Sequence, residues 1–242
     1  MDNDICKINE LDKNYSKEEI INNLKSEEID DFVKIFSIIH LDKTENQLEF
    51  NILINNLTNH STPIREITAH KLDEINNYNN EFFIDDFSLL KILDAITDIN
   101  PNVSRIMCNI IQNNNLLKEK IEEKIINNIF KLLEEIKEYK NTNDDFYNNS
   151  KRNTKSHAKN KKLFSLYWYL ESLSCCLNQK YNSKVLEILK ETINFYDYTI
   201  REKTAKILAK IPNAPIDLLQ KTKLDQNFYV KYQVYDKIIK DN

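Results

Sequence analysis

Four histidines and four cysteines are the residues of this chain best suited to hold a metal or carry a thiolate, and their spacing favours neither use. A helical zinc site needs ligands one turn apart on one face. His40, His60, His70 and His157 stand in no such relation to one another or to a cysteine, so no metal is expected, and no other cofactor. Cys175 and Cys176 are adjacent, and neighbouring helix positions point about 100° apart, which disfavours chelation and a strain-free vicinal disulfide alike. With Cys6 and Cys108 far away in sequence, the expectation is four reduced, mostly buried thiols. Acid pairs recur at Asp30-Asp31, Asp85-Asp86, Glu122-Glu123 and Glu134-Glu135. General acid–base work would need two carboxyl groups converging in a pocket. These pairs fall instead at expected helix starts and on polar faces, where the helix dipole and solvation account for them. No catalytic residue is assigned, and a non-enzymatic role is the expectation.

The chain of 242 residues contains no glycine, where an average chain is about 7% Gly. Phosphate-cradling loops, dinucleotide fingerprints and strained nucleophile elbows use glycine where the backbone needs positive φ or must let a ligand come close. Those chemistries are disfavoured. The composition, rich in Asn, Ile and Lys, is that of AT-rich coding, but the physical consequence is the same whatever its origin. Helices that would end in a left-handed glycine must end in Asn or another cap, and Asn is plentiful at the expected breaks: Asn76-Asn77, Asn113 to Asn115, Asn141 and Asn178.

A hydrophobic content of 41% with 30% charged residues is ordinary for a folded protein. The formal net charge of −4 lacks the basic excess of a nucleic-acid binder, so a protein or peptide partner is expected and nucleic acid is disfavoured. The N-terminus shows no leader pattern, and no run approaches 18 uninterrupted apolar residues. The expectation is a cytoplasmic protein with no membrane partner. Residues 1–15 read as a polar N-terminal segment.

Residues 141–161 read as a long insertion loop, acidic and polar at first, then basic through Lys151, Arg152, Lys155, Lys159, Lys161 and Lys162. Loops beyond about 12–15 residues are uncommon and tend to be functional or disordered. Such a basic tract suits a phosphate, a nucleic acid or an acidic partner. Directly after it comes Phe164-Ser-Leu-Tyr167-Trp168-Tyr169-Leu170 with the only tryptophan, an aromatic cluster that suits base stacking or peptide anchoring. Consecutive helix residues cannot share one face, so at least one of Tyr167, Trp168 and Tyr169 is expected to face outward. Trp168 and Tyr169 are the candidate contacts.

The elements that would position these residues are helices. Apolar residues recur at three- and four-residue spacing almost throughout, as in Leu89-Leu90-Ile92-Leu93-Ile96, and no segment sustains a period of two. Helix starts are expected at Ser16, Ser26 and Thr62, the last with Pro63 at the first helical position. A helix pair is expected over about 116–139 and 161–177. The helices are also self-similar. Ile64-Arg65 is followed by Thr68, Ala69 and Leu72, and Ile200-Arg201 by Thr204, Ala205 and Leu208. Val230-Lys231, Val103-Ser104 and, less distinctly, Val33-Lys34 repeat the frame. Each follows a polar turn and another amphipathic helix, at separations in the range of two-helix repeats.

In these residues, notably Asp98-Ile-Asn-Pro-Asn-Val103, Asp197-Tyr-Thr-Ile200-Arg201 and Asp225-Gln-Asn-Phe-Tyr-Val230-Lys231, the chain resembles the HEAT-repeat family. The resemblance implies one all-α domain over 1–242, a right-handed α-α superhelix of about five to six helix pairs. It also implies an interaction scaffold that binds a partner through its concave face or its insertion loop. Candidate contacts on the second helices are Arg65, Lys71, Arg105, Lys203 and Lys231. For Arg65 and Arg201 the same resemblance implies a competing role, bonding to an acid in the adjacent turn. The alternative it leaves open is a nucleic-acid-binding HEAT-like protein, such as a DNA glycosylase of the alkylpurine type.

Overall fold

A computed structural model describes residues 15–140, 154–177 and 183–235, without the side chains of 139–140 and 154–157. Among the described residues are twelve α-helices, two short 3-10 turns and no strand, so the chain is all-α. The sequence reading treats residues 1–242 as one domain, whereas contacts cluster into two compact units, 1–117 and 118–242. Residues 1–14 and 141–153, where the polar N-terminal segment and most of the expected loop fall, lie outside the described residues.

The first unit holds α1 (Lys17–Lys25), α2 (Asp31–His40), α3 (Gln47–Asn55), α4 (Thr62–Asn76), α5 (Asp86–Ile96) and α6 (Pro101–Asn113). Consecutive helices pair, and the second helices α2, α4 and α6 pack in succession on one another, as do the first helices α1, α3 and α5. The repeated frame explains this. Ile64, Thr68, Ala69 and Leu72 of α4 and Val103, Met107 and Ile111 of α6 are fully buried. Each fully buried Ile or Leu contributes roughly 1.5–3 kcal/mol, and the small Ala69 lets neighbouring helices approach. The Thr68 hydroxyl is carried into the core because it donates to the Ile64 carbonyl at 2.7 Å.

The second unit holds the body of α7 (Asn115–Lys140), then α8 (Thr154–Cys176), α9 (Ser183–Thr192), α10 (Tyr198–Lys210), α11 (Ile216–Lys223) and α12 (Phe228–Tyr232). Here α8 packs on α10 and α10 on α12, while α9 and α11 lie beside the helices that follow them. The frame recurs: Ile200, Thr204, Ala205 and Leu208 are buried, and Ala205 clusters with Val230 and Val234.

Helix starts follow side-chain chemistry, with local differences from the sequence reading. Ser16 caps α1 through a capping box with Glu19. The cap of α2 is Asp30 and not Ser26, because its carboxylate accepts from the Phe32 amide at 2.8 Å. At α4 the N-cap is Ser61, one residue before the expected Thr62, and it makes no side-chain cap bond. At two of the expected breaks the helix does end in Asn. Asn77 and Asn114 end α4 and α6 in right-handed and extended backbone respectively, and Asn213 alone among the described residues has positive φ, at 55°. The expected loop is shorter than 141–161, since α8 starts at Thr154. Its first turns lack an apolar stripe, so they read as loop, although Ala and Lys are good helix formers.

Candidate functional site

Two arginines at the same position of the repeated frame, one in each unit, build the same clasp. Arg65 meets Asp98 with two parallel bonds, Nε to Oδ2 at 2.6 Å and Nη2 to Oδ1 at 3.0 Å. Its Nη1 donates to the carbonyls of Asn59 and His60 at 2.9 and 3.1 Å, and Nη2 also donates to the Thr62 hydroxyl at 3.3 Å. All five guanidinium donors are used. Arg201 repeats the pattern on Asp225 at 2.7 and 3.1 Å and on the carbonyls of Phe195 and Tyr196 at 2.8 and 3.0 Å. Asp98 and Asp225 in turn accept from the amides of Asn100 and Asn227, the N-cap residues of α6 and α12. Each clasp therefore ties one second helix to the turn that starts the next. In the frame where Ser104 replaces arginine, its hydroxyl donates to the carbonyl of Asp98, six residues back as in the clasps. The guanidinium beside Asp225 holds that carboxyl below the usual aspartate range.

Lysines between α8 and α10 are also engaged. Lys203 is 8% exposed; its ammonium lies 3.1 Å from Glu171 and 4.6 Å from the centre of the Tyr167 ring. Burial alone would lower the pKa of Lys203, but the Glu171 charge outweighs it and raises the value. Burial would likewise raise Glu171, yet the ammonium groups of Lys206 and Lys203 hold it below the ordinary glutamate value.

What remains open in the second unit is aromatic. Tyr167 and Phe164 are half-buried, each edge-on to Trp168, at 5.3 Å with 88° between planes and at 6.3 Å with 71°. With Asn160, Leu163, Asp197 and Thr199 these rings line an open cleft of about 360 Å³. A second open cleft of about 480 Å³, lined by Tyr196, Asp197, Tyr198, Arg201, Gln226 and Asn227, shares Asp197 with the first. Tyr196 and Tyr198 are exposed, as are Phe228, Tyr229 and Tyr232 just beyond Asn227. These rings follow from the sequence at the helix starts: Tyr198 and Phe228 each come directly after the N-cap, Asp197 and Asn227 respectively, where a side chain points away from the core stripe. The same position in the first unit holds Thr62 in α4 and Pro101 in α6.

The sequence-assigned contacts fall in both units. Arg65 is 8% exposed in its clasp. Lys71 is half-buried and pairs with Glu74 at 2.7 Å. Arg105 is exposed and bonds Asn102 at 2.9 Å, and Lys231 is exposed on α12. Lys159 lies over the Tyr196 ring at 4.9 Å, Lys161 is exposed, and Lys162 pairs with Glu135 of α7. Lys151, Arg152 and the side chain of Lys155 lie outside the described residues. Of the outward-facing aromatics expected near Trp168, Tyr167 is half-buried, while Trp168 and Tyr169 are 8% and 9% exposed. The Tyr169 hydroxyl accepts from Asn128 at 3.1 Å. Tyr196, Tyr198, Phe228 and Tyr229 were not among the expected contacts, and aromatic residues flanking an Asp or Asn cap were the available signal.

Cys108 and Cys176 are buried and Cys175 is half-buried, with burial the main cause that pushes the Cys176 thiol far up. Among the described residues no group of His, Cys, Asp and Glu side chains is arranged to hold a metal ion, and no helix is long and apolar enough to cross a membrane. No protein-family model matches the chain, and no curated protein matches it.

Proposed function

We propose that this protein is a HEAT-like repeat scaffold, built of helix pairs stacked as segments of a right-handed α-α superhelix, that binds a partner protein and performs no chemistry of its own. The architecture is supported by the Arg65–Asp98 and Arg201–Asp225 clasps, one in each unit with the same bidentate fork and the same pair of carbonyl contacts. Within each unit the second helices stack on one another, as such repeats require.

The observation that carries the binding role is the run of exposed aromatics at the helix starts of the second unit. Tyr196, Tyr198, Phe228 and Tyr229 are 54%, 44%, 68% and 62% exposed. Contiguous exposed apolar surface marks an interaction site, and Tyr supplies contact area at low entropic cost. The buried arginines and Lys203 act as internal fasteners on this reading, and the partner meets rings.

A photo-crosslinking residue placed at Tyr198, with Lys71 as a comparison position, tests the proposal in the native cell. A discrete adduct at Tyr198 and none at Lys71 is expected, and the identified partner, once purified, should lose about tenfold in affinity for a Tyr198→Ala, Phe228→Ala double variant. Equal adducts at both positions, or none at Tyr198, would count against a binding edge there.

A further inference from the structure

Resting on that scaffold reading, we infer that the cleft between α8 and α10 receives an extended, acidic, proline-bearing peptide segment of the partner. Shape and chemistry converge on this occupant. Phe164 and Tyr167 stand nearly perpendicular to Trp168 and wall the cleft with ring edges and faces. Aromatic-walled grooves of this kind take polyproline II segments, which are pre-extended and so lose little entropy on docking. Proline also brings no backbone N–H that an aromatic wall would leave unsatisfied. Of the polar groups of the lining, the exposed Asn160 amide offers a donor to peptide carbonyls. Trp168, more than nine-tenths buried, carries an indole N–H with no acceptor in the protein, and a buried tryptophan N–H usually finds one.

Charge selects the acid. From Thr154 to Leu170 the sequence has four lysines and no Asp or Glu. Lys159 and Lys161 flank Asn160 at the cleft, Lys161 exposed. The one carboxylate in the lining, Asp197, has Oδ1 engaged by the amide and hydroxyl of Thr199 at 2.9 and 2.8 Å.

The same geometry disfavours a single-stranded nucleic acid, the other anion that pairs lysines with rings. Base stacking needs open ring faces. The Tyr196 ring lies against Phe195 at 5.0 Å and under the Lys159 ammonium, and Tyr167 lies under that of Lys203. Tyr196 and Tyr167 are thus each engaged on one face by the protein's own groups.

The test uses the full-length protein and three fluorescein-labelled probes: a peptide of three Glu-Pro-Leu-Pro repeats, its Gln-for-Glu counterpart, and an oligothymidylate of equal length. Anisotropy should show saturable binding of the acidic peptide, at least about tenfold tighter than that of either other probe. Emission from Trp168, the sole tryptophan, should shift in step. The surface double variant Lys159→Glu, Lys161→Glu should weaken the acidic peptide about tenfold, and so should Phe164→Ala, with circular dichroism unchanged. Absence of saturable binding, equal affinity for the Gln peptide, tighter binding of the oligothymidylate, or indifference to the lysine reversal would each overturn the inference. An adduct at Tyr198 with a failed peptide would leave the scaffold standing and remove this occupant. Peptide binding without an adduct would do the reverse.

Discussion

Arg65 shows how one side chain settles a whole turn. The α4 N-terminus lacks a side-chain cap bond at Ser61, and the guanidinium instead gathers the carbonyls of the preceding turn while gripping Asp98 across to the next helix pair. Removing one partner strands a buried charge, so Arg65→Ala or Asp98→Ala should cost about 3–5 kcal/mol in urea unfolding. Arg65→Lys should recover little of it, because an ammonium cannot make the bidentate fork. A loss below about 1 kcal/mol for either alanine variant would show the clasp to be incidental. The thiols give a second check at this scale. Cys108 and Cys176 are 4% and 0% exposed, so alkylation of the native protein by iodoacetamide should spare both and reach them only on unfolding. Rapid native modification of Cys176 would mean that α8 does not stay packed. The pairing of Arg65 with an acid was open only as one of the two roles that the HEAT-like resemblance implies. Its partner sits 33 residues away, a distance at which periodicity is silent.

At the scale of the helix, Ala69 and Ala205, five places after the anchors Ile64 and Ile200, decide how closely these second helices pack. Ala205 is fully buried against Val230 and Val234, so Ala205→Leu should overpack the α10–α12 contact and cost about 1–3 kcal/mol. Ser16→Ala, which removes a capping box at the exposed start of α1, should cost about 1 kcal/mol. Both are measurable by thermal and urea melts, and a neutral Ala205→Leu would mean that α12 is not held by this contact. Helix existence was legible here because the apolar stripe and the buried face coincide. Boundaries were less so. Ser26 lost to Asp30 as the cap of α2, since both lie in one polar run and only geometry chooses between them. The first turns of α8 looked like loop because lysines without an apolar stripe give no period to read.

For the whole chain, acids exceed bases by four, 38 against 34, yet the sensitive carboxylates are the few that hold elements together. Asp225 and Glu171 have folded values depressed below their unfolded ones. Their contribution is therefore complete above about pH 4–5 and is lost as the pH falls through the depressed folded values. Melting temperature should drop on acidification below about pH 4, and Asp225→Asn should flatten that dependence while lowering stability at neutral pH. An unchanged acid profile in the variant would remove Asp225 from the account. The all-helical class was legible at this scale from periodicity alone. The aromatic edge was not, because an exposed Tyr198 and a buried Tyr169 are the same residue type and differ in place, one opening α10 and the other inside α8. The clasps bear on motion as well. Lys231 occupies the arginine position of the last frame and is exposed, and α12, only five residues long, is held by Val230 and Val234 on Ala205 and by the Arg201–Asp225 clasp at its start. Backbone amides of α12 should accordingly exchange with deuterium sooner than those of α4 and α10, and the stretch carrying Phe228 and Tyr229 would breathe fastest where a partner has most to gain by freezing it.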